Sequence, residues 1–127
     1  MGERQKVEVA PTLLGKMARQ CVDDSKEWYG DSACAYSISH HALSMSGEVG
    51  DFVNIVKRIE RGDLNARDAK VRMAMANELT DIFVEVLNIA GLLNIDLEKS
   101  YQMVRANNQQ MHTVERKNRE AAKQNGG

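Results

Sequence analysis

The sequence predicts an all-α protein, a four-helix bundle-like protomer of long antiparallel helices. Apolar residues recur at the three- and four-residue spacing of an α-helix along most of the chain. The composition agrees, because the 127 residues contain one proline, seven methionines and only 5% aromatic residues. This length suits one domain with one hydrophobic core, so we expect residues 1–127 to form a single helical domain.

The first helix is predicted to begin around Pro11, because proline fits the first turn of a helix, where its missing N–H has no partner to lose. Residues 1–10 carry mixed charge without helical periodicity, so we expect a loose N-terminal arm. The helix should end near Tyr29-Gly30. Its apolar positions are Leu13, Leu14, Met17, Cys21 and Trp28.

The second and third helices are predicted to be long and antiparallel. Asp31 or Ser32 can cap the second helix, which should stop at Arg61-Gly62-Asp63. The connection from Gly62 to Arg67 is short and polar, which favours antiparallel neighbours. The third helix is expected from about Ala66 to Leu93.

Asp96 is expected to cap a fourth helix. Residues 117–127 are rich in charge and end in two glycines, so we expect a frayed tail. The predicted inward face of this helix consists of Leu97, Tyr101, Val104, Asn108 and Met111.

Two copies of a Glu-x-x-Asp pattern stand on the second and third helices, Glu48 with Asp51 and Glu78 with Asp81. Residues three apart share a helix face, with Cβ atoms about 5–6 Å apart, so each copy presents two carboxylates to one patch. A single copy is typical of a solvated surface. Two copies that border apolar stripes on antiparallel helices indicate a cation site, and all-oxygen ligands favour Mg²⁺ or Mn²⁺ over zinc or copper.

Other residues near the acids are candidates for the same site. Gly47 and Gly50 each cost a helix about 1 kcal/mol relative to alanine, which close approach of another backbone or of a ligand would explain. Glu85 shares the helix face of Glu78 and Asp81, so it can be an extra metal ligand or an acid that lies next to the ligands without binding the metal. Adjacent helical residues point about 100° apart, so only one of His40 and His41 can face the site, and a structural or exposed role is the alternative.

The run from His41 to Arg58, HALSMSGEVGDFVNIVKR, followed by NELTDI at residues 77–82, resembles the MazG-type all-α nucleoside triphosphate pyrophosphohydrolases. The resemblance spans roughly Trp28 to Met111. It implies Mg²⁺-dependent hydrolysis of a (deoxy)nucleoside triphosphate, between the α and β phosphates, to the monophosphate and pyrophosphate.

The family's pattern also implies residue roles. The metal-binding and catalytic acids are Glu48, Asp51, Glu78 and Asp81, and the substrate-binding residues are Lys57, Arg58, and Asn107 or Asn108. Trp28 and His41 are further candidates for contact with the base, although a structural role is the alternative for each.

The chain departs from the family's pattern in four places. Asp51 replaces the commoner glutamate, and Thr80 stands where glycine is frequent. The lysine and arginine expected after the asparagine of the fourth helix are missing around Gln110 and Val114. Some relatives use an additional glutamate where this chain has Gly47, so the general base is unassigned.

Charge and composition narrow the classes of function. A formal net charge of −1 provides no electrostatic reason to bind nucleic acid. Cys21 and Cys34 lack the spacing of a zinc or redox motif, and there is no Glu-x-x-His pair of the ferritin-like kind. No apolar run reaches membrane-spanning length, and the first residues do not resemble a signal peptide. We therefore expect a cytoplasmic protein without membrane or nucleic-acid partners.

Long amphipathic helices with methionine-rich faces favour self-association, so a homodimer or homotetramer is expected, with the substrate pocket completed by a neighbouring subunit. The alternative function is a non-catalytic nucleotide-binding or oligomerisation module with a regulatory role. The two functions differ in one respect: an interface should supply lysine or arginine partners for the acids, whereas a metal site should leave them facing solvent.

Overall fold

The computed structural model describes residues 12–30 and 37–126, and the regular structure in these ranges is entirely α-helical. The predicted all-α fold class is therefore confirmed. The predicted N-terminal arm over residues 1–10 and the predicted caps Asp31 and Ser32 lie outside the described residues. The helices are α1 at Leu13–Tyr29, α2 at Ile38–Glu60, α3 at Ala69–Leu93 and α4 at Leu97–Asn125.

Each helix begins at a polar side chain that accepts a hydrogen bond from a backbone N–H of the first turn. These N–H groups have no partner within the helix, so the caps explain where the helices start. Helix α2 therefore begins one residue after Ser37, well beyond Asp31 and Ser32. The cap oxygens are Thr12 Oγ1, Ser37 Oγ, Asp68 Oδ1 and Asp96 Oδ1, which accept from Gly15, His40, Lys70 and Lys99 respectively.

Helices α2 and α3 end where a residue with positive φ turns the chain. Gly62 follows α2 with φ 84°, a conformation that glycine adopts without the steric cost of a Cβ atom. Asn94 follows α3 with φ 53°, and asparagine is the residue that most often replaces glycine in this role. The backbone N–H of Ile95 then donates to the carbonyl of Ala90 at 2.9 Å, which satisfies one of the last carbonyls of α3.

The chain divides into two compact units, Met1–Ile95 and Asp96–Gly127. In the first unit α3 packs against both α1 and α2. Gly91 allows the close approach of α1, because a Cβ at this position would lie 2.6 Å from Val22 Cγ2 and 2.9 Å from the carbonyl oxygen of Ala18. Ser25 Oγ donates to Asn88 Oδ1 at 3.1 Å. Since the later residues of α1 meet the earlier residues of α3, these two helices are antiparallel.

The first unit has a small core that includes buried polar side chains. Leu87 is its most enclosed large side chain, with 1% of its surface exposed. Polar side chains are buried beside the apolar ones, and burial of a polar group is costly unless it is hydrogen-bonded. The core therefore depends on specific polar pairs as well as on apolar contact. Its buried residues are Ala18, Val22, Val71, Leu87 and Ala90, with Ser25, His41 and Asn88.

Helix α4 is the second unit, and none of its described residues is buried within the chain. Among the apolar side chains predicted to face inward, Leu97 is half-buried and the others are exposed, including Tyr101 at 65% and Met111 at 56%. The tail predicted to fray from residue 117 is helical as far as Asn125. Residues with high helix propensity fill this stretch, and the Arg116–Glu120 pair at 3.9 Å adds a weak i,i+4 contact.

None of the described helices combines the length and the apolar composition that crossing a bilayer requires.

Candidate metal centre

A polar cluster fixes the register of α2 against α3. The Nδ1 atom of His41 lies 2.6 Å from Glu85 Oε2, and Ser44 Oγ donates to Glu85 Oε1 at 3.4 Å. Glu48, one turn after Ser44 on α2, interacts electrostatically with Asp81 and Glu78, which precede Glu85 on α3. Later residues of α2 thus face earlier residues of α3, as the predicted antiparallel packing requires. This register brings the first acidic pair of the sequence opposite the second.

Glu48 is the acid with the most perturbed environment. Burial raises its pKa above the ordinary value, and the negative charges of Glu85, Asp81, Glu78 and Asp51 raise the pKa further, in that order of importance. All four predicted acids are thus close enough to interact electrostatically. We refer to Glu48, Asp51, Glu78 and Asp81 as the acidic cluster.

One oxygen of the acidic cluster is buried and has no hydrogen-bond partner among the described residues. This atom is Oε2 of Glu48. A buried polar atom normally has a partner, and a carboxylate oxygen without one has lost its hydration for no compensating bond. Asp51 and Asp81 are exposed, whereas Glu48 and Glu78 are half-buried. The cluster therefore combines an enclosed end with a side that is open to solvent.

The ion pairs within residues 12–30 and 37–126 leave the four acids of the cluster without a basic partner. None of the ion pairs between described residues joins a lysine or arginine to one of the four acids. This is the arrangement expected of a cation site, whereas an interface should supply matched basic residues. An all-oxygen donor set with an unpartnered buried carboxylate oxygen fits a hard divalent cation such as Mg²⁺.

The ligand set is not assembled around one point. Within the described ranges, no three histidine, cysteine, aspartate or glutamate side chains are arranged to hold a metal ion. Cation binding by the acidic cluster would therefore require its side chains to change rotamer, which half-buried and exposed carboxylates on helix surfaces can do. The predicted metal centre stays a prediction at this point.

His41 and Glu85 lie behind the acidic cluster. The side chain of His41 is 5% exposed and that of Glu85 is 14% exposed. Neighbouring His40 is exposed, so only one of the two histidines points into the helix pair, as the 100° helical rotation predicts. His41 is thus part of the core, and its proposed contact with a base is not visible in this arrangement.

Two predicted features differ in the structure. A Cβ added at Gly47 or Gly50 would meet no atom of the described chain within 4 Å, so no neighbouring backbone approaches either glycine. The contact of this kind occurs instead at Gly91, on the α1 side of α3. Helical spacing alone could not have distinguished these positions, because the distance to a neighbouring helix depends on tertiary packing.

The predicted substrate-binding residues are spread over three helices. Lys57 and Arg58 are exposed in the last turn of α2, where positive charge also favours the negative end of the helix dipole. Trp28 is 70% exposed near the end of α1. Asn107 and Asn108 are exposed on α4.

Sequence reasoning missed the bond between His41 and Glu85, together with the supporting contact from Ser44. A signal was present, because His41, Ser44 and Glu48 are spaced by three and four residues and share one face of α2. Sequence reasoning also missed Arg105, which lines a shallow groove of about 370 Å³ on α4 with Tyr101 and Asn108.

Comparison with protein-family models finds no match for this chain, and comparisons with curated proteins and with solved structures find none of significance. A functional assignment therefore rests on the residues of the chain itself.

Proposed function

We propose that this protein is a Mg²⁺-dependent nucleoside triphosphate pyrophosphohydrolase, which cleaves a (deoxy)nucleoside triphosphate to the monophosphate and pyrophosphate. The single observation that carries the proposal is the environment of Glu48. Its Oε2 atom is buried without a partner, among acids contributed by two antiparallel helices, and no basic residue neutralises them in the described part of the chain. The motif resemblance to MazG-type enzymes supplies the reaction.

The acidic cluster would bind the cation, with Glu48 and Asp51 from α2 and Glu78 and Asp81 from α3. Bound Mg²⁺ supplies neutralisation of phosphate charge and a lowered pKa for a coordinated water. The open side formed by the two exposed aspartates is where the triphosphate can reach the cluster. Attack of a water oxygen on the α phosphorus forms one P–O bond and breaks the bond to the bridging oxygen, so pyrophosphate leaves.

The remaining residue roles follow from the same resemblance. Lys57 and Arg58 would neutralise phosphate oxygens, Asn107 or Asn108 would contact the nucleotide, and Trp28 is the candidate for stacking on a base. We also propose a cytoplasmic homodimer or homotetramer. The exposed apolar side chains of α4 support self-association, because a helix whose apolar positions are uncovered gains free energy when a partner buries them.

The test is a panel of ribonucleoside and deoxyribonucleoside triphosphates incubated with Mg²⁺ or Mn²⁺, with pyrophosphate and orthophosphate measured separately. We expect pyrophosphate from one or a few nucleotides, and its loss in Glu48→Gln and in Asp81→Asn. Glu60→Gln is the matched control, because it makes the same change of charge at an exposed position near the end of α2. Release of orthophosphate alone, or equal turnover in all variants, would contradict the proposal.

A non-catalytic nucleotide-binding or oligomerisation module with a regulatory role is the second candidate. One observation favours it: no metal-ligand group is assembled among the described residues. This candidate predicts that nucleotides bind without turnover at any concentration of Mg²⁺ or Mn²⁺. Equilibrium binding of a fluorescent nucleotide, measured beside the hydrolysis panel, separates the two functions.

A further inference from the structure

Glu85 is a half-buried carboxylate that the acidic cluster does not include. It follows Asp81 by one helical turn on α3, and both of its oxygens accept hydrogen bonds from α2. His41 bonds one oxygen at 2.6 Å and Ser44 bonds the other at 3.4 Å. Two anchors on a neighbouring helix hold the carboxylate group in a defined place, so its charge has a defined position too.

The anchors keep this charge next to the cluster. Ser44 precedes Glu48 by one turn of α2, so the carboxylates of Glu85 and Glu48 lie on the same side of the helix pair. Among the charged neighbours of Glu48, Glu85 makes the largest contribution to its raised pKa. With both oxygens already accepting bonds, Glu85 is less free than the four cluster acids to turn towards a cation.

The partner of Glu85 is itself fully enclosed. His41 is 4% exposed, and its Nε2 atom is buried without a hydrogen-bond partner. An ionised carboxylate can only accept hydrogen bonds, so we assign the proton of this bond to Nδ1 of His41. An unsatisfied buried nitrogen costs free energy, and the bond of Nδ1 to Glu85 is the hydrogen bond that His41 makes among the described residues.

We propose that Glu85 is a positioning residue of the candidate metal centre: His41 and Ser44 fix its negative charge behind Glu48, and this charge strengthens cation binding by the acidic cluster without ligating the cation. The inference rests on the proposed function, because it assigns a role within the same site. Groups that bond or surround metal ligands from behind typically change metal affinity by about 10- to 100-fold when they are replaced.

The experiment measures the Kd of Mn²⁺ for the full-length protein by titration calorimetry at pH 8, where proton competition for carboxylates is small. Glu85→Gln removes the charge, while its amide oxygen still accepts from His41. We expect Kd to rise about tenfold, with the thermal midpoint no lower than that of the wild type. Glu60→Gln is the control for overall charge and should leave Kd unchanged.

A second pair of variants tests the anchor. His41→Asn places an amide N–H near the position of Nδ1, and we expect a Kd close to the wild-type value. His41→Leu removes the donor and should weaken Mn²⁺ binding as Glu85→Gln does. If His41→Leu fails to fold, the comparison of Glu85→Gln with His41→Asn still decides, because both keep a polar side chain of similar size.

Three results would overturn the inference. A Kd for Glu85→Gln within about twofold of wild type excludes the electrostatic role, and if Glu48→Gln still abolishes binding, the proposed function survives. A loss as complete as that of Glu48→Gln makes Glu85 a ligand rather than a positioning residue. If the wild-type protein binds no Mn²⁺, the inference and the proposed metal-dependent function fail together.

Discussion

Replacement of Glu48 by glutamine should stabilise the protein at neutral pH. The pKa of Glu48 is raised in the folded protein by burial and by its acidic neighbours, from an ordinary value of 4.5. For a carboxyl group with a raised folded pKa, the folded state binds the proton more tightly than the unfolded chain. The associated stability is complete below the unfolded pKa and is lost as the pH rises through the folded pKa. At pH 7.5 the ionised Glu48 therefore destabilises the native state.

The size of the effect follows from the neighbours of Glu48. Four acids contribute repulsion, and a like-charge pair on helix surfaces costs about 0.2–0.5 kcal/mol, so the sum is about 1 kcal/mol. Glutamine has nearly the same shape, carries no charge, and its amide can donate to an adjacent carboxylate. For a chain of this size, a gain of about 1 kcal/mol raises the thermal midpoint by about 4 °C.

Thermal denaturation followed by circular dichroism in EDTA measures this gain. The difference between Glu48→Gln and the wild type should be present at pH 7.5 and should shrink as the pH falls below the ordinary value of 4.5, where Glu48 becomes protonated in both states. Glu60→Gln should leave the midpoint unchanged at pH 7.5 and at pH 4. Added Mg²⁺ should raise the midpoint of the wild type and not of Glu48→Gln. A variant that is less stable at pH 7.5, or equally shifted at pH 4, would refute the reasoning.

Four further predictions concern the packing and capping of the helices. Gly91→Ala should lose about 1–3 kcal/mol of unfolding free energy, because its Cβ would lie 2.6 Å from Val22 Cγ2. By contrast, Gly50→Ala should gain about 1 kcal/mol of unfolding free energy, since the added methyl has open space. Urea denaturation measures the unfolding free energy of both variants. Equal changes in the two variants would argue against the packing described. Leu87→Ala should lose about 2–5 kcal/mol in the same assay, and a loss below about 1 kcal/mol would contradict its 1% exposure. Asp96→Ala should cost about 1 kcal/mol by removing the cap of α4, seen as faster amide hydrogen exchange in the first turn of that helix and unchanged exchange in α3.

Local signals predicted the parts of the fold that depend on few residues. The end of α1 at Tyr29 and the cap of α4 at Asp96 were both predicted, because glycine and aspartate act on the adjacent turn only. The cap of α2 at Ser37 is not among the predicted caps, since several polar residues before Ile38 can cap a helix and the sequence does not rank them. The tail, predicted to fray because of its polarity, is helical as far as Asn125, since its residues have good helix propensity.

In the candidate site, too, the features that depend on few residues could be predicted from the sequence. Its paired acids could be predicted because a separation of three residues places two carboxylates on one helix face whatever the helix packs against. The short polar connection after α2 also made the antiparallel arrangement predictable. The structure added that Glu48 is the enclosed member and that Asp51 and Asp81 are exposed.

The sequence by itself determined the helices of residues 12–30 and 37–126 and the two acidic pairs, because both follow from the 3.6-residue period of the α-helix. Only the tertiary structure decided that Glu85 is bonded to His41, that Glu48 Oε2 has no partner, and that Gly91 is the glycine in close contact. Burial, hydrogen-bond partners and free space at one residue depend on residues distant in the chain. They are therefore properties of packed helices, and the period of a single helix carries no information about them.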